Sequence, residues 1–150
     1  MKGDLDMGLF RRRRATTGTD ELADEMTAVA MRFAAAYDGD GLDFGRESLV
    51  RLDEILDGVH RSGAQSADDV AMGAACYVFE VARREFGGRF LAFDEQNPVV
   101  LVVGEPEFRV GLCAIGKTRG RITLGAEDHI PFFYEGFVQA VAARRDATIV

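Results

Sequence analysis

The octapeptide Gly111-Leu112-Cys113-Ala114-Ile115-Gly116-Lys117-Thr118 satisfies two incompatible patterns, and the choice between them decides the fold. Read as G-x-x-x-x-G-K-[ST], it is a phosphate loop, whose backbone N–H groups cradle phosphates while Lys reaches the terminal ones and Thr holds magnesium. That chemistry needs a helix opening at Lys-Thr, so that its dipole helps hold the anion. Read at period two, Phe108, Val110, Leu112 and Ala114 share one face of a strand, with Arg109 and Cys113 on the other. Arg119-Gly120-Arg121-Ile122-Thr123 follows with poor helix signals, and only 32 residues remain after Thr118, too few for further parallel strands of a nucleotide-hydrolysing sheet. The alternation is therefore preferred. It predicts a strand over 108–115, a hairpin bend at 116–120 and a return strand over 121–124, with nucleotide binding a distant third reading.

Two more β-rich runs precede it, Phe90 to Phe93 and Pro98 to Val103. The connections Asp94–Asn97, Gly104–Glu107 and Gly116–Gly120 are too short for parallel crossovers, so consecutive strands should pair antiparallel. Val99 to Val103 is apolar without a break and should be a central strand. Four stretches have helical spacing. The first runs from about Asp20 to Tyr37, with Leu22, Met26, Val29, Phe33 and Tyr37 on one stripe and Thr19 or Asp20 as cap. The second runs from about Gly45 to Arg61 and buries Leu49, Leu52, Leu56 and Val59. The third, about Ala67 to Phe86, is apolar around most of its circumference, the mark of a buried central helix. Ser66 is its candidate N-cap, with Asp69 in the capping-box position, and Gly87-Gly88 ends it. The last runs from about Asp128 to Arg145, with Pro131 in its first turn. Runs of helices followed by runs of strands predict an α+β fold: three N-terminal helices, a short, mainly antiparallel four-stranded sheet and a C-terminal helix.

The segment Gly73-Ala-Ala-Cys-Tyr-Val-Phe-Glu-Val-Ala-Arg-Arg-Glu-Phe-Gly-Gly-Arg-Phe90 resembles one found in a family of small uncharacterised bacterial α+β proteins. In these a helix with an acidic residue ends in Gly-Gly and leads into a short sheet and a closing helix. The resemblance spans about residues 44–143 and implies that element order. It implies no activity.

Composition sets the outer bounds. A chain of 150 residues, 47% hydrophobic and 29% charged with 17 Gly and 3 Pro, is neither collagen-like nor low in complexity. At this size a domain buries roughly 68–70% of its unfolded surface and needs no staple. No run approaches 18 apolar residues, so a membrane span is not expected. Cys76 and Cys113 lack metal-ligand spacing and fit a reducing, cytoplasmic setting. Residues 1–18, read as a basic flexible tail, carry a balance of +3, which leaves −10 on the single domain expected over residues 19–150. A body that negative repels nucleic acid, so such binding would rest on Arg11, Arg12, Arg13 and Arg14 alone. That run is instead assigned to a solvated arm that contacts a partner. No apolar segment follows it, which argues against export, and Met7-Gly8-Leu9-Phe10 reads as a second start.

Few groups promise chemistry. Asp38, Asp40 and Asp43 suggest calcium, but an EF-hand loop counted from Asp38 needs Gly sixth and Glu twelfth, where Asp43 and Leu49 stand. No metal and no cofactor is expected. Glu80 lies on the most apolar helix, where an unpaired carboxylate could serve as general acid or base. Arg84 lies one turn on, in the order that favours a salt bridge, and this pairing is preferred. His60, His129 and the three serines, Ser48, Ser62 and Ser66, fit no catalytic pattern, and Tyr134 with Phe132-Phe133 reads as core. The resulting expectation is a non-catalytic cytoplasmic protein-interaction module, of adaptor, immunity or chaperone type, whose acidic body steers another protein toward it. Homo-oligomerisation stays open. The alternative is a small-molecule-binding protein or enzyme with a pocket between the third helix and the sheet, using Glu80, Arg84 and Lys117.

Overall fold

A computed structural model describes the backbone of residues 15–37, 41–63 and 65–150, and side chains from residue 21 onward. Helices α1 (Ala15–Ala36), α2 (Leu49–Ser62) and α3 (Ala67–Phe86) come first. Strands β1 (Arg89–Ala92), β2 (Val99–Val103) and β3 (Val110–Leu112) follow, then α4 (Ala114–Leu124), α5 (Ile130–Ala143) and β4 (Ala147–Ile149). The class is α+β, with five helices beside a four-stranded sheet. Arg11 to Arg14, Asp38 and Asp40 lie outside the described residues.

α3 has the bounds its sequence predicts, and it is the core helix. Eleven of the twelve residues from Ala71 to Ala82 are buried, with Met72 the exception. Its C-cap Gly87 takes φ 76°, a left-handed value that glycine reaches at low cost. Ser66 occupies the N-cap position, yet its side chain makes no capping bond. α1 starts at Ala15, ahead of the expected Asp20, and buries Met26, Ala30 and Phe33 against α3. Gly73 is the point of closest approach, because a Cβ there would stand 2.7 Å from the Phe33 ring.

The sheet order is β1-β2-β3-β4. β1 and β2 pair antiparallel, with Phe90 opposite Leu101, and β2 pairs antiparallel with β3, with Val102 opposite Gly111. β2 is central and wholly buried, as its unbroken apolar run predicts. The region after β3 corrects the sequence reading in three places. The third strand stops at Leu112 and not at Ile115. Residues 114–124 form α4, so the hairpin bend and the return strand over 121–124 do not exist. The fourth strand is the C-terminal Ala147–Ile149, parallel to β3 with Gly111 opposite Thr148. The intervening α4 and α5 supply the long crossover that a parallel pair requires.

Alternation sorts the sheet residues onto two faces. Phe90, Leu101, Val103, Val110 and Leu112 join the main core beneath the helices. There Phe79 of α3 meets Phe90 edge-on at 5.3 Å. Leu91, Val100, Val102 and Cys113 form a separate small cluster on the opposite face, in which Val100, Val102 and Cys113 are buried.

Candidate functional site

The residues singled out by sequence fall in different places. Glu80 is buried on α3, where Thr27 Oγ1 donates to Oε1 at 3.0 Å, as does Arg83 at 2.9 Å, while Arg84 Nε donates to Oε2 at 3.0 Å. The preferred Glu80–Arg84 pair therefore forms, with Arg83 added to it. The Arg84 guanidinium also lies 4.1 Å from the centre of the Phe44 ring, whose other neighbour is Tyr77, stacked at 4.6 Å. Phe44 holds φ 67°, an unfavourable value for a side-chain-bearing residue, and donates its N–H to Tyr77 Oη at 2.8 Å. These contacts clamp the 43–48 loop onto α3. They use Glu80 and Arg84 as structural braces.

Lys117 sits elsewhere, on the second turn of α4. Its Nζ donates to Asp128 Oδ1 at 2.8 Å and lies 5.3 Å from the centre of the Phe133 ring. Thr118 is fully buried and donates to Ala71 O at 2.8 Å, and Gly116 N donates to Asn97 Oδ1 at 2.8 Å. Gly111, the first glycine of the phosphate-loop pattern, is inside β3. Gly116 N, Lys117 Nζ and Thr118 Oγ1, three atoms that such a loop offers to an anion, thus have protein partners, and α4 begins directly after the strand. Lys117, Asn97, Gly116, Cys113 and Asp128 line a cleft of about 260 Å³. Burial pushes the Cys113 thiol up to about 11, far from thiolate chemistry at neutral pH.

Sequence reasoning missed the most deeply buried charges. Arg121, only 4% exposed, donates to both oxygens of Asp53 at 2.9 and 3.1 Å and to Asp57 Oδ1 at 3.1 Å. Asp53 Oδ1 also accepts the Ile130 N–H at 2.9 Å, so one carboxylate ties α2, α4 and α5 together. The Asp53 hydrogen bonds hold the Arg121 guanidinium more firmly charged than usual, and Arg61 and Arg121 hold Asp57 below the ordinary carboxylate range. A signal existed: Asp53 stands one turn from both Leu49 and Leu56, on the apolar stripe of α2. Tyr134 Oη donates to Glu85 Oε1 at 2.5 Å, and Arg46 grips the same carboxylate. Burial, then Glu85, raises the Tyr134 pKa.

The outer sheet face differs from all of these. A trough of about 520 Å³ runs along it, floored by Val100, Val102 and Gly111 and walled by Leu91 and Phe93 on one side and Arg109, Asp146 and Thr148 on the other. Phe93 is 52% exposed. The rim arginines are engaged: Arg89 and Arg109 both pair with Glu105, at 2.7 and 3.0 Å. Among the described residues Asp94, Glu95 and Asp146 are in no ion pair. Asp94 accepts only the Asn97 N–H, Asp146 only the Arg109 N–H, and Glu95 is exposed beside them. Among the described residues no group of three or more His, Cys, Asp or Glu could hold a metal, and no helix is long and apolar enough to cross a membrane. No family model, curated protein or solved structure matches the chain.

Proposed function

We propose that the chain is a non-catalytic protein-interaction module whose outer sheet face receives a basic segment of a partner protein. The observation that carries this reading is the trough itself, bordered by the half-exposed Phe93 and by Asp146, a carboxylate without an ion partner among the described residues. Apolar surface left together in one place marks docking sites, and complementary charge speeds and orients the encounter. The balance of −10 over residues 19–150 acts in the same direction at longer range. Glu80 and Lys117, the best candidates for a small-molecule site, are held by internal partners on different elements.

The test uses labelled peptides and fluorescence anisotropy. The heptapeptide Arg-Arg-Thr-Phe-Thr-Arg-Arg should bind, its glutamate counterpart should not, and affinity should fall as salt rises. The triple variant Asp94→Asn, Glu95→Gln, Asp146→Asn keeps the turn-capping oxygens and should bind at least about tenfold more weakly. Neutralising Glu54, Glu127 and Glu135 removes the same charge from the helical side and should change little. Equal loss in both triples, or binding of the acidic peptide, overturns the reading.

A further inference from the structure

An α-helix leaves its first backbone N–H groups without intrahelical partners, and each must be met from outside. In α5 every one of them has an assignment. The Ile130 N–H goes to Asp53 Oδ1 at 2.9 Å, and Pro131 has none to offer. The Phe132 N–H goes to Nδ1 of His129, the N-cap residue, at 3.4 Å. The Phe133 N–H then makes the first helical bond, to His129 O. Of these acceptors only the His129 ring exchanges its proton near neutral pH, and Nδ1 accepts only while it carries no proton.

The ring has a second partner within reach. Its Nε2 stands 3.7 Å from Asp53 Oδ2, an oxygen that also takes Arg121 Nη2 at 3.1 Å. The His129 side chain is 50% exposed, so it has room to turn. Asp57 shares Arg121 with Asp53, and two acids precede His129 in the chain, Glu127 and the Lys117-bound Asp128. From this we infer that His129 is an acid-released cap: the neutral ring serves the Phe132 N–H, and the protonated ring leaves it for Asp53. A proton on Nδ1 sets a donor against a donor, and it places positive charge at the positive end of the α5 dipole. The residue uncapped is Phe132, whose side chain is 80% exposed. His60, the other histidine, behaves differently: its Nδ1 lies 2.6 Å from Ile122 O, an acceptor that a protonated ring keeps. The cap is independent of the outer sheet face.

NMR of the full chain between roughly pH 8 and 5 tests it, following the rings of His60 and His129 together with the Phe132 amide. On acidification the Phe132 amide proton should move upfield, and its protection against exchange should fall roughly fivefold, the typical worth of an N-cap. Both changes should share the midpoint of the His129 ring. In His129→Asn the side chain caps at every pH, so the amide should keep its shift and its protection throughout. His129→Ala should show the acid-state protection already at the upper end of the range. A Phe132 amide that stays unchanged while the His129 ring titrates overturns the cap. So does one that follows the His60 midpoint alone, or an equal acid shift in His129→Asn.

Discussion

At the scale of single residues, Arg121 carries more structure than any other charged side chain. Its bidentate grip on Asp53 puts two opposite charges inside the protein, where attraction must offset the loss of water. Such a pair adds little over an apolar replacement of both members, but removing one member leaves the other buried and alone. Arg121→Ala should therefore destabilise by about 3–5 kcal/mol in urea unfolding. Arg121→Lys should recover only part of this, because an ammonium cannot reach both Asp53 oxygens and Asp57 with one planar group. Asp53→Asn keeps the bond to Ile130 N and should cost less than Asp53→Ala.

At the scale of elements, the α1–α3 contact depends on missing atoms. Gly73 sits in the buried stretch of α3, where glycine costs roughly 1 kcal/mol of helix propensity relative to alanine. The close approach of Phe33 reverses the expected sign. Gly73→Ala should destabilise by about 1–3 kcal/mol despite the better propensity, with α1 displaced from α3. Hydrogen exchange along α1 checks this, since its amides should lose protection before those of α3. A stabilised variant would show that Phe33 can turn away at no cost. The same use of small residues recurs in α4, where Asn97 lies 2.9 Å from a Cβ at Gly116, and Asp128 lies 2.5 Å from one at Gly120. α4 is held at both places by approach as well as by hydrogen bonds.

At the scale of the whole molecule, three neutral acids are spread through the core. Cys76 lies on α3, Cys113 at the start of α4 and Tyr134 on α5. Burial lifts the two thiols from 9.0 to about 11, and lifts the Tyr134 hydroxyl as well. A pKa raised in the folded state means that the unfolded chain gives up its proton first as pH rises. The stability these groups hold is complete below pH 9 and is lost progressively through pH 9–11, so unfolding midpoints should fall across that window. The double variant Cys76→Ala, Cys113→Ala should flatten the fall. If wild type and variant decline in parallel, Tyr134 carries the effect. Glu105 acts at the other end of the scale, where Arg89 lowers its pKa and the contribution is lost as pH falls through the acid range.

Local pattern was sufficient for the α+β class, for α3 from Ala67 to Phe86, for the β1–β2 hairpin and for the central place of β2. Those features follow from periodicity and turn residues close in sequence, which act before the chain meets itself. The segment from Ala114 to Leu124 obeys a different rule. With two glycines and two threonines in eleven residues it is a poor helix by propensity, and its helix exists because distant groups complete it. Asn97 caps Gly116, Ala71 takes the Thr118 hydroxyl and Asp53 takes Arg121, at separations of 19, 47 and 68 residues. Once 114–124 is helical, β3 has no following hairpin strand, and Ala147–Ile149 pairs with it in parallel. The trough likewise belongs to the tertiary level. The alternation in β2 and β3 tells which residues share a face, but only the assembled sheet separates the Val100, Val102 and Cys113 cluster from the main core. Sequence decided what each segment could bury; assembly decided which distant groups it was buried against.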